Sequence, residues 1–93
     1  MLVGTLQVEL LLHATMSLKE KRFVLRSVKQ RIRNDFNVSV AEVGYQDKWQ
    51  RALLGIACVG NEKRFINEVL SKIFHLIERD DRVEIIDQLM EID

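Results

Sequence analysis

Residues 2 to 12 alternate between apolar and polar positions. Leu6, Val8, Leu10 and Leu12 fall on one side, and Thr5, Gln7, Glu9 and Leu11 on the other. That period of two predicts a half-buried strand. Ser17-Leu18-Lys19-Glu20 then reads as a capping box, with a hydroxyl and a carboxylate placed to satisfy orphaned backbone donors at a helix start. The helix it opens should run from about Leu18 to about Asn34 and bury Leu18, Val24, Leu25, Val28 and Ile32. Asn37 to Tyr45 is rich in valine, Gln46-Asp47-Lys48-Trp49 is a polar tip, and Arg51 to Val59 is almost continuously apolar, which together predict a hairpin. Gly60-Asn61 ends it. Asn61 is a candidate N-cap for a second helix over about Glu62 to Arg79, with Phe65, Ile66, Val69, Leu70, Ile73, Phe74 and Ile77 at helical spacing. Val83, Ile85, Ile86, Leu89, Met90 and Ile92 form a fourth strand whose alternation slips at Ile85-Ile86, leaving its register open.

The order βαββαβ is a split βαβ pattern. Right-handed crossovers leave room for a third strand between the pair they join. The expected fold is α+β and ferredoxin-like, a four-stranded antiparallel sheet in order 4-1-3-2 with both helices on one face. No repeat, linker or low-complexity segment interrupts residues 1 to 93, so one domain is expected.

Composition fits a globular chain able to close one core, at 47% hydrophobic and 30% charged residues. Fourteen basic residues balance fourteen acidic ones, so net charge alone selects no partner. Their distribution is uneven. Residues 17 to 34 hold seven Lys or Arg against Glu20 alone, whereas residues 60 to 93 hold nine acids against five bases. The single cysteine, Cys58, excludes an intramolecular disulfide. The opening run lacks a basic start and is broken by Gln7 and Glu9, unlike a signal peptide or a membrane span, so a cytoplasmic location and no membrane partner are expected.

Within the basic run, Lys19, Arg22, Arg26, Lys29 and Arg33 recur at steps of three and four. At about 100° per residue they occupy an arc of roughly 80°, flanking the apolar face. Such a row can follow a phosphate backbone. It also costs stability, because cations near the helix start oppose the dipole by about 0.3 to 1 kcal/mol each and like-charge pairs at i,i+4 add about 0.2 to 0.5 kcal/mol. The competing readings are a solvated face, or a row neutralised by acids of the C-terminal segment, its own or a second subunit's.

Other constellations narrow the choice. Lys48, Trp49 and Arg51 at the hairpin tip are candidate accessory contacts, an aromatic with flanking cations, although such a tryptophan commonly folds back over the end of a core. RNA-recognition motifs share this strand order but stack bases on aromatics of the central strands, and Arg51 to Val59 contains none. RNA contact should therefore run through helix one and the tip. The third strand is apolar on both faces, so Leu53, Ala57 and Val59, or their even-numbered neighbours, face the open side and make a homodimer through that face a second expectation. His13, His75 and Cys58 have no spacing that joins them as metal ligands or a nucleophile pair. Acylphosphatases share the topology and bind phosphate between strand one and helix one, but His13-Ala14-Thr15-Met16 has neither the glycines nor the arginine of such a cradle.

Ser17-Leu18-Lys19-Glu20-Lys21-Arg22, Phe36 through Val43, Gln46-Asp47-Lys48-Trp49-Gln50-Arg51-Ala52 and Leu54-Gly55-Ile56-Ala57 resemble the YlxP-like family of small bacterial proteins. The resemblance implies a ferredoxin-like fold, a cytoplasmic protein, and a gene that often neighbours translation genes such as that for ribosome-binding factor A. It supplies no catalytic residues. The expectation is a non-enzymatic protein, without metal or cofactor, that binds RNA or a ribosomal subunit through Lys19, Arg22, Arg26, Lys29 and Arg33. The alternative is a dimeric interaction module whose basic helix pairs with an acidic protein.

Overall fold

In a computed structural model covering residues 1 to 93, the elements are β1 (Leu2–Leu11), α1 (Leu18–Asp35), β2 (Ser39–Gly44), β3 (Arg51–Gly60), α2 (Lys63–Glu78) and β4 (Glu84–Ile92). The sheet has order β2-β3-β1-β4 with every pair antiparallel, the expected ferredoxin-like arrangement read from the other edge. Even-numbered residues of β1 and β3 meet the helices. Leu6, Val8, Leu10, Ala52, Leu54, Ile56 and Cys58 are all buried, in a core of 19 residues completed mainly by Val24, Leu25, Val28 and Ile32 of α1 and Ile66, Leu70, Ile73 and Ile77 of α2. Gly4 sets the distance between α2 and β1. A Cβ at that position would run into Ile66 Cγ2 and crowd Leu70.

The capping box forms at α1. Ser17 Oγ accepts from Glu20 N at 3.1 Å, and Glu20 Oε2 accepts from Met16 N at 2.8 Å, one residue before the cap. The second helix starts differently from expectation. Its N-cap is Glu62, with no side-chain capping bond, so Asn61 lies one residue too early to serve. The slip at Ile85-Ile86 is a true irregularity: Leu10 faces Ile85, Glu9 faces Asp87, and Ile86 is the extra residue. A bulge of that kind resets which side chains face the core. Leu18 is only half-buried, and Phe65, assigned by spacing to the apolar face of α2, is largely exposed.

Odd-numbered positions line the open face. Leu53, Ala57 and Val59 of β3 lie there, but Thr5, Gln7 and Glu9 of β1 run through its centre, and Glu9 is paired with Arg51. No helix is long and apolar enough to cross a membrane.

Candidate nucleic-acid interface

The first turns of α1, the β1–α1 loop and the β2–β3 tip meet at one end of the sheet, joined by polar contacts. Lys21 is the centre of this junction. It lies among the cations of α1, yet its side chain is only 1% exposed. The ammonium donates to Tyr45 O at 2.6 Å and Lys48 O at 2.7 Å, and lies 2.7 Å from Glu42 Oε2. Those two carbonyls belong to one turn, closed by Lys48 N donating to Tyr45 O at 3.0 Å. Tyr45 adopts φ 58°, the only positive φ outside glycine, a conformation that costs an L-residue about 1–2 kcal/mol. Lys21 contributes the charge-assisted hydrogen bonds that hold it there.

The β1–α1 loop grips the same tip. Buried Thr15 Oγ1 lies 2.7 Å from Trp49 O and 2.9 Å from Leu12 O. Gln50 Nε2 donates to Thr15 O at 3.1 Å, and Leu12 N donates to Gln50 O at 2.9 Å. The tip's backbone is therefore fixed while its side chains project outward. Trp49 remains 53% exposed, which overturns the reading in which it folds back over the core. With Tyr45, Lys48, Arg51 and Leu11 it lines an open cavity of about 450 Å³. Arg51 is already committed: it pairs with Glu9 at 2.6 Å and lies 5.0 Å above the Tyr45 ring. Of the three accessory residues, only Lys48 keeps a cation without an ionic partner.

On α1 itself the cations divide cleanly. Lys21 pairs with Glu42, and Arg31 lies 3.7 Å from Asp80. Lys19, Arg22, Arg26, Lys29 and Arg33 have no carboxylate partner. Arg33 donates to Val40 O of β2 at 2.9 Å, which places the row along the side of α1 that faces the β2 edge. Neutralisation by the chain's own C-terminal acids is thereby removed as an explanation. None of those acids lies within ion-pairing distance of the row: Asp80 holds Arg82 at 2.7 Å, and Glu84 accepts from exposed His13. Arg82 also donates to Ser27 Oγ at 3.0 Å, tying the α2–β4 turn to the opposite flank of α1. Hydrogen bonds from Arg82 hold the Asp80 carboxyl below its ordinary 3.8, against the opposing effect of burial, and Asp80 in turn raises Arg82.

A family model described as "Protein of unknown function (DUF503)" matches residues 3–90. The chain belongs to the DUF503 family. A relative, "Uncharacterized protein YlxP" of Bacillus subtilis (strain 168), is 37% identical over 83 residues, covering 89% of this chain and 90% of its own. The residues matched by the family model, 3–90, take in α1, the tip and most of the sheet of the DUF503 fold.

In this DUF503 chain, the five residues of the basic row come together as expected, on one flank of α1. The tip residues project beside the helix start because Lys21 anchors them there. Sequence reasoning missed two residues. Lys21 sits on the apolar arc, three residues after Leu18 and four before Leu25, and that placement was the available signal. Phe23 lies off that arc and is 66% exposed, with Lys19, Arg22 and Arg26 around a shallow depression of about 290 Å³. His13 and His75 bond Glu84 and Glu78, and no group of three potential metal ligands assembles.

Proposed function

We propose that this protein is a non-enzymatic RNA-binding protein that docks electrostatically through the outer flank of α1. Arg22, Arg26 and Lys29 contact successive phosphates, with Lys19 at the rim and Arg33 at the far end, where it also steadies β2. The observation that carries this reading is the division among the cations of α1: the two off the row have carboxylate partners, and none on it does. A chain with as many acids as bases had partners to offer. Rows of unpaired cations release counterions when they meet phosphate, which favours a polyanion over a single acidic group.

A complex with a ribosomal subunit is the form of this reading to test first. Co-sedimentation of the protein with purified subunits should be lost after ribonuclease treatment. Persistence on the residual protein fraction would replace RNA with an acidic protein as the partner. Self-association through the open sheet face is a separate proposal, supported by exposed Val3, Val43, Val59 and Leu89 on that side. Light scattering at micromolar concentration should give twice the 10.9 kDa chain mass; a monomeric mass refutes it.

A further inference from the structure

We infer that Phe23 is a stacking platform for an unpaired nucleobase, so that the basic flank of α1 selects single-stranded over duplex RNA. This rests on the RNA-binding reading and adds a ligand class to it.

Phe23 lies on α1, one residue after Arg22, four after Lys19 and three before Arg26. The spacings of four and three make Lys19 and Arg26 its neighbours on the helix surface, and Arg22 borders the same depression. At about 100° per residue it stands roughly 40° beyond Lys19, at the crest of the helix and pointing away from the sheet. None of the 19 core residues needs it. Its ring is shared by two adjoining depressions. The first, about 290 Å³, is bounded by Lys19, Arg22 and Arg26. The second, about 660 Å³, lies between the start of α1 and the α2–β4 turn, with Thr15, Ser17, Val24 and Arg82 among its walls. Glu20 also borders the second depression, but its carboxylate is occupied by Met16 N, and Arg82 is held by Asp80. Lys19 borders both depressions, so the unpaired cations line the first and reach the edge of the second, which is the roomier for a flat group.

The occupant that fits is one carrying a planar apolar group and an anionic backbone within a few ångströms of each other. An unpaired nucleotide has that form. Bases inside a duplex keep both faces stacked on neighbours and leave Phe23 without a partner, whereas a single strand can turn one base onto an aromatic face. The sheet of this protein offers no aromatic on β3, so the helix supplies the stacking surface instead.

The test uses an oligoadenylate and its abasic counterpart, equal in phosphate number, titrated against the full chain. The wild type should bind the intact strand about 5- to 150-fold more tightly than the abasic one. Phe23→Ala should erase that difference while leaving the abasic affinity and the salt dependence unchanged, and Phe23→Trp should restore it. An unchanged thermal midpoint in Phe23→Ala confirms that the fold is intact. Equal binding of both strands by the wild type, with both weakened by Arg22→Ala and Arg26→Ala, overturns the stacking role and leaves electrostatic docking standing. Failure to bind either strand overturns both. Phe23-dependent binding of polyglutamate, without discrimination between the strands, would assign the site to an acidic protein.

Discussion

The two helices cover the same face of one sheet, but they are held there by different means and present different surfaces. α2 is docked by apolar side chains, with Ile66, Leu70, Ile73, Leu76 and Ile77 buried and Gly4 admitting it close to β1. On its exposed side, Arg64 pairs with Glu68 and His75 with Glu78. α1 buries four aliphatic residues and a lysine, and adds polar attachments at three points: Lys21 to the tip, Ser27 and Arg31 to the Asp80–Arg82 pair, and Arg33 to β2. Its outer flank keeps Lys19, Arg22, Arg26 and Lys29 without acidic partners. The contrast teaches that α1 is fixed by contacts on its inner side and its flanks, leaving one flank arranged against stability. On that flank four cations stand in one row without an acidic partner, whereas the unpaired lysines of α2, Lys63 and Lys72, are nine residues apart.

Breaking the contrast starts with Lys21. Lys21→Ala leaves Glu42 and two tip carbonyls without their cation and should cost about 3–5 kcal/mol, the range for breaking a buried pair. Chemical denaturation measures the loss, and faster amide exchange at Lys48 should accompany it. Lys21→Met keeps the aliphatic stem and should lose nearly as much, which separates charge from packing.

On the α2 side the sensitive point is apolar. Gly4→Ala forces Ile66 and Leu70 outward and should cost about 1–3 kcal/mol, the range for overpacking, read as a lower thermal midpoint. The same methyl on the surface of α1 would be tolerated.

The Asp80–Arg82 attachment should be weaker, because Arg82 and Arg31 reach solvent. Asp80→Asn should cost about 1–2 kcal/mol. Its pH dependence has a definite sign. The carboxyl is depressed in the folded chain, so its contribution is complete above the unfolded value near 3.8 and disappears as pH falls through the lower folded value. Denaturation midpoints should therefore fall more gently below pH 4 in Asp80→Asn than in the wild type.

The smallest effect is the most discriminating. Arg22→Ala, Arg26→Ala and Lys29→Ala together remove like-charge neighbours and should raise stability by about 0.5–1 kcal/mol, measured as a higher midpoint. A comparable loss would mean that the row holds α1 in place.

The pattern of apolar positions carried the strand order, the helix limits and the basic row, because each is a local periodicity. The bulge in β4 was visible as a slip at Ile85-Ile86, but not its resolution, which depends on pairing with β1. Lys21 was hidden by its neighbours. A lysine in a run of cations reads as solvated, and its burial is decided by Glu42, Tyr45 and Lys48, more than twenty residues away. Trp49 was ambiguous for the same reason, since its exposure follows from a tip fixed by Thr15 and Lys21 rather than from its own surroundings. Phe23 needed only the helical arc to be followed around to its far side.

The most direct test of the central claim is the salt dependence of RNA binding by the wild type and the triple alanine variant. For four phosphate contacts on a single strand, log K against log salt should have a slope of about −3 in the wild type, flattening toward about −1 when Arg22, Arg26 and Lys29 are removed. An affinity independent of salt, or a slope unchanged in the variant, would contradict the account.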